Sequence, residues 1–174
     1  NKKHSLCDSE YNARRSECEK ALIGLKTKLD INSLGELSEE EFEDNKNLIS
    51  DEVCVKRARH AVYENQRTIR AVKALRDNDM VLFGKLMRES HISLRDDYEV
   101  SCEELDILME ETDACEGVYG VRMTGGGFGG CCVSIIDSSC VQTVIDKVGR
   151  AYADRVGYDA DFYIFDTGDG VCKL

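Results

Sequence analysis

Apolar residues recur at helical spacing through the first two thirds of the chain, and the period shortens to that of strands in the last third. From about Ser9, the positions Cys18, Leu22, Leu25 and Leu29 predict a helix with one buried face. Asp51 to Arg76 predicts one long helix with Ala58, Val62, Ile69, Val72 and Leu75 on a face, and Asp79 to about Ser93 predicts another. Leu37-Ser38-Glu39-Glu40-Glu41-Phe42 and Val100-Ser101-Cys102-Glu103-Glu104-Leu105 each set a serine three residues before a glutamate, with apolar residues on either side. That is the pattern of a capping box with a hydrophobic staple, so both are expected to open helices.

After residue 117 the pattern changes. Val118 to Thr124 and Cys131 to Ile136 read as strands, Val141, Val144, Ile145, Val148 and Tyr152 mark an amphipathic helix, and Phe162 to Phe165 reads as a closing strand. The chain opens at Asn-Lys-Lys-His-Ser-Leu without a methionine, which reads as the tail of an earlier strand and as a piece cut in mid-element. The resulting order is strand, helices, strand, strand, helix, strand. It predicts an α+β fold, the ferredoxin-like split βαβ sandwich, with additional helices in its first crossover. No repeat or low-complexity linker divides the chain, so residues 1–174 are expected to form one domain.

The connection between the two middle strands is the least ordinary feature, because Gly125, Gly126, Gly127, Gly129 and Gly130 surround Phe128. Gly125, Gly127 and Gly130 satisfy G-x-G-x-x-G, but a dinucleotide site needs a helix to follow, and here a β-branched strand follows. A P-loop needs Lys and Ser or Thr after its last glycine, where this chain has Cys131 and Cys132. Two readings remain: a wide hairpin loop, or a loop kept bare because a ligand or another backbone comes close. The second is preferred, since a short hairpin needs only one or two glycines.

Charge narrows the partners. A net charge of −11 argues against nucleic acid or an anionic membrane, both of which need a basic footprint. Lys56, Arg57, Arg59, Arg67, Arg70 and Lys73 on the long helix are expected to form a solvated face answering the acidic run Glu36 to Asp44. Nine cysteines without a C-x-x-C pair suggest reduced thiols, mostly small core residues, in a cytoplasmic protein. His4, His60 and His91 lack metal-ligand spacing, so structural or solvent-facing roles are expected for them. Asp96 and Asp97 beside Arg95 are explained as well by a helix end and a surface ion pair as by chemistry. Tyr11 stands at a helix entry, where its hydroxyl either faces a ligand or packs; spacing leaves both open. Residue chemistry alone gives no nucleophile and base pair, hence no complete catalytic set.

Four blocks carry a resemblance: "KHSL…SEYNARRSECE", "RARHAVYENQRT", "ESHISLRDDYEVSCEELD" and "GVYGVRMTGGGFGGC". In this order they resemble the C-terminal half of the galactokinase family, within the GHMP superfamily of sugar and mevalonate kinases, over essentially the whole chain. The resemblance implies a GHMP kinase C-terminal domain whose N-terminal domain is not in this chain. It implies ATP-dependent phosphorylation of the anomeric hydroxyl of α-D-galactose, with Mg2+, by the full-length enzyme. By position, Tyr11 resembles the family's tyrosine that contacts galactose hydroxyls, and Lys3 falls where members carry Arg or Lys near the nucleotide. The glycine loop, Gly125 to Gly130 with Phe128, resembles the family's third signature motif at the cleft between the domains, supporting the phosphate-binding region.

The acidic residue that handles the sugar hydroxyl, its arginine partner, the galactose signature and the serine-rich phosphate loop belong to the family's N-terminal half and are absent here. The chain alone is therefore expected to be inactive. ATP and Mg2+ are expected through that missing half. Alternatives are an N-acetylgalactosamine kinase, where the glycine motif usually has Trp in place of Phe128, a non-catalytic galactose- and ATP-binding sensor, and a free-standing ferredoxin-like binding module.

Overall fold

The structure, a computed structural model, describes residues 7–166 and 168. Helix α1 (Cys7–Leu25) leads through a short 3-10 turn to α2 (Glu39–Asn45), then α3 (Glu52–Arg76), α4 (Met80–Asp96) and α5 (Glu103–Asp113). Strands β1 (Val118–Thr124) and β2 (Cys131–Ile136) pair antiparallel around the glycine loop, and α6 (Val141–Val156) follows. Both strands keep the limits their sequence pattern predicts. The fold is α+β, with five α-helices before the two-stranded antiparallel sheet and one after it among the described residues.

Local chemistry explains where the helices start. Ser38 and Glu41 form the expected reciprocal capping box, with Leu37 and Phe42 buried in one cluster beside it. Asp51 caps α3 through Val53 N–H, and Asp79 caps α4 through Leu82 N–H. The second predicted box does not form. Cys102, not Ser101, is the N-cap of α5, and Ser101 Oγ instead donates to Asp106 Oδ1 at 2.6 Å. A carboxylate within the first turn of α5 offers that hydroxyl a stronger, charge-assisted bond than a backbone N–H does.

The core lies in three clusters. One joins α1, α2 and α3 around Leu25, Phe42, Ala58 and Val62. A second joins α5, the sheet and α6 around Ile107, Val148 and Tyr152. The third, Leu94, Val100, Leu105 and Met123, sits under the glycine loop, with Phe128 packed against it. Cys54 and Cys115 are buried and Cys18 and Cys132 half-buried, as small core residues. α4 crosses β1 so closely that an added Cβ at Gly84 would lie 1.7 Å from the Tyr119 carbonyl oxygen.

Three expectations need correction. Ala58 and Val62 are buried, but Ile69, Val72 and Leu75, on the same predicted face of α3, are 58%, 44% and 50% exposed. The neighbouring elements cover another face of the helix there, where Arg67 and Ala74 are buried. Arg57 and Arg67 are buried rather than solvated, because carboxylates meet them inside the fold, whereas Arg59 and Arg70 do reach Glu43 and Glu39 of the acidic run. Phe162 to Phe165 forms no strand; the sheet among the described residues has two strands. In a split βαβ plan the last strand pairs with the first. The opening residues assigned to that first strand lie outside the described residues, as do Lys3 and His4.

Candidate functional site

Tyr11 stands on the first turns of α1, 60% exposed, with its phenol close enough to Tyr98 to help raise that hydroxyl. Burial is the main cause of the rise, which carries Tyr98 to about 12. One turn beyond Tyr11, Arg14 donates from Nε to the Tyr98 carbonyl at 2.7 Å and from Nη2 to the Glu99 carbonyl at 3.0 Å. Its guanidinium carbon lies 5.8 Å from the centre of the Phe128 ring. The turn after α4 is held from α3 as well. Arg57 donates to the Asp97 carbonyl at 2.5 Å and pairs with Glu17 and Glu99.

The glycine loop rests on that same turn. Phe128 N–H donates to the Val100 carbonyl at 2.7 Å. At Gly127, with φ at 85°, an added Cβ would lie 2.3 Å from that carbonyl oxygen, so the backbone that comes close at this position is the chain's own. At Gly125, with φ at 89°, an added Cβ would meet nothing within 4 Å. One side of the loop is therefore seated and the other is open. φ is positive at Gly125, Gly127, Phe128, Gly129 and Gly130, a backbone that glycine adopts without steric cost. Arg14, one turn from Tyr11, thus ties α1 to the turn after α4 and to Phe128 of the glycine loop. Sequence reasoning missed Arg14 and Arg57. The three-residue step from Tyr11 to Arg14 signals one helix face, but nothing local signals partners more than eighty residues away.

The two described histidines are structural. His91, fully buried, accepts from Met123 N–H through Nδ1 at 3.0 Å and meets Asp106 through Nε2 at 3.1 Å, tying α4, β1 and α5 together beneath the loop. Since Nδ1 accepts, the proton sits on Nε2 and the ring is neutral. His60 bonds Ser93 at 3.0 Å and stacks on Tyr98. Burial lowers both pKa values, His60 to about 4 against the opposing pull of Glu64 and Asp97 and with help from Arg67 and Arg122. Asp96 pairs with Arg95 at the surface, and Asp97 accepts from Ser93 at the end of α4.

A pH dependence follows from these rings. Between pH 6.5 and about 4 the unfolded chain binds a proton at His60 that the folded chain refuses, so stability falls as pH falls through that window. Unfolding free energy is expected to drop by about 2 kcal/mol from pH 7 to pH 5 through His60 alone. Carboxylates whose partners hold them low, such as Glu99 and Asp96, lose their contribution only below the ordinary carboxylate range. Denaturant melts at the two pH values check this; equal midpoints, or an undiminished drop in His60→Gln, would contradict it.

A groove of about 440 Å³ between α3, α4 and the hairpin ends at Thr124, the foot of the glycine loop. In its wall Glu64 receives Ser90, Arg67 and Arg122. Among the described residues no helix is long and apolar enough to cross a membrane, and no three His, Cys, Asp or Glu side chains gather to hold a metal ion.

Residues 71–154, from late α3 through the glycine loop and most of α6, match the family model described as GHMP kinases C terminal. A crystal structure of Lactococcus lactis galactokinase complexed with galactose superimposes on all of this chain with a TM-score of 0.95 at 49% identity. The chain carries a GHMP kinase C-terminal domain. The chain is also 55% identical over all 174 residues to a galactokinase of Clostridium beijerinckii and 56% identical to one of Clostridium acetobutylicum. It spans 45% of the length of each of these proteins. The relatives' similarity extends past both ends of the family match, and so includes the α1 face that carries Tyr11 and Arg14.

Proposed function

We propose that this chain is the C-terminal domain of an enzyme that transfers the γ-phosphoryl group of ATP to the anomeric hydroxyl of α-D-galactose. The observation that carries the reading is that Arg14, one turn from Tyr11 on α1, reaches Phe128 of a half-open glycine loop, in a chain so close to galactokinases throughout its length. Phosphoryl transfer depends on positioning and on charge stabilisation rather than on covalent chemistry by the protein. In this reading the open side of the loop, at Gly125, faces the transferring group, and Tyr11 holds a sugar hydroxyl. Lys3, outside the described residues, is assigned to the nucleotide by resemblance only. By resemblance, Mg2+ is assigned with ATP's phosphates to the N-terminal domain, this domain's partner across the cleft. The protein is assigned to the cytoplasm. The relatives named above are all galactokinases, which disfavours the N-acetylgalactosamine kinase.

The test is phosphorylation of galactose, against N-acetylgalactosamine, by the full-length protein in a coupled ADP assay. No turnover with either sugar would overturn the reading and favour a sensor. Tyr11→Phe refines it. Losing a hydroxyl that bonds the sugar is expected to cost about 1–3 kcal/mol in kcat/KM for galactose. The KM for ATP should change little. Because Tyr11 is exposed within this domain, its melting temperature should stay put; equal losses toward both substrates would assign Tyr11 to packing instead.

A further inference from the structure

We propose that Arg14 is a positioning residue that holds the glycine loop in register with the helix carrying Tyr11. The proposal rests on the phosphoryl-transfer reading above. Among the described residues, Asn78, Glu99 and Phe128 are the non-glycine positions with positive φ, at 56°, 53° and 60°. Such conformations persist only where their surroundings hold them, and they gather at functional sites. Two of the three converge on Arg14. It bonds the Glu99 carbonyl on one side and lies over the Phe128 ring on the other, while its Nε takes the carbonyl of Tyr98. Arg57 supports the same turn from α3 through Asp97 and Glu99. Arg14 is the one that also reaches the glycine loop, and it stands three residues from Tyr11 on the same helix.

The chemistry asks for arginine. Two donors of a rigid fork meet two successive carbonyls, while the guanidinium carbon stands 5.8 Å from the centre of an aromatic ring. Lysine would keep the charge that faces Glu10 at 3.7 Å and Glu17 at 3.5 Å, but it lacks both the fork and the plane. A purely electrostatic role would therefore survive Arg14→Lys, and a clamp would not. With the clamp gone, Phe128 loses one of the contacts that hold its strained backbone, and the loop drifts from its seat on Val100.

The experiment reads the clamp and the reaction separately. Amide hydrogen exchange on Arg14→Lys is expected to accelerate at Phe128, whose N–H bonds Val100, and to stay unchanged at Met123, whose N–H bonds His91. In the full-length protein, kcat with galactose and ATP is expected to fall on the order of 10- to 100-fold, with little change in the galactose KM. Unchanged protection at Phe128 overturns the clamp. Acceleration at both amides makes Arg14 a general stabiliser and overturns it too. A loosened Phe128 with normal kcat overturns the positioning role. If Arg14→Lys does not fold, Phe128→Leu removes the ring that Arg14 faces while leaving both carbonyl bonds, and the same readouts decide. A wild-type protein without galactose phosphorylation overturns the functional reading, while exchange still decides the clamp.

Discussion

Gly84→Ala is expected to be strongly destabilising, costing about 3 kcal/mol or more, the upper end of what overpacking does. The added carbon would lie 1.7 Å from the Tyr119 carbonyl oxygen and 2.3 Å from its carbonyl carbon. Both are backbone atoms of β1, so no side chain can swing away. Relief needs α4 and β1 to separate, and the two meet again through His91 and the Met123 N–H, directly beneath the glycine loop. Native stability is about 5–15 kcal/mol, so the change removes a large share of it. Gly149→Ala is the control. It sits inside α6, where the new carbon meets only the edge of the Phe162 ring at 3.4 Å, and alanine is the better helix former by about 1 kcal/mol. Urea melts of both variants decide; a Gly84→Ala chain as stable as Gly149→Ala would mean that α4 and β1 are not packed this closely.

What was legible in the sequence was whatever depends on neighbours a few residues away. The limits of both strands, the Ser38–Glu41 box and the long α3 follow from local pattern, and the structure keeps them. Ser101 shows the limit of that rule. A serine three residues before a glutamate is the right pattern, but Asp106 lies within reach and takes the hydroxyl. Periodicity likewise marks an apolar face without saying what covers it, which is why Val62 is buried while Ile69, on the same face, is 58% exposed. Arg57 was expected in solvent because its own helix offers it no reason to be elsewhere. Its carboxylate partners, Glu17 and Glu99, come from α1 and the turn after α4. The glycine loop announced itself through composition, and its conformation needed a structure. Sequence could not separate the glycine that seats the loop from the one that leaves it open.

That separation gives the decisive test of the loop. Gly127→Ala places a methyl group 2.3 Å from the Val100 carbonyl oxygen and 2.7 Å from its Cβ, in a residue with φ at 85°. It is expected to lower stability by several kcal/mol, through collision and backbone strain together, whatever the loop does in the enzyme. Loss of activity there would therefore prove little. Gly125→Ala carries the information. Its new methyl group meets nothing in this domain within 4 Å, so the cost to folding is limited to the left-handed backbone, about 1–2 kcal/mol. If the open side faces the transferring phosphoryl group, the same methyl group displaces it, and a misplacement near 1 Å costs on the order of 100-fold in rate. The full-length Gly125→Ala protein is therefore expected to melt only slightly below wild type and to lose most of its kcat for galactose. A normal kcat in that variant would make the loop a turn between two strands, with its glycines explained by the Val100 seat alone.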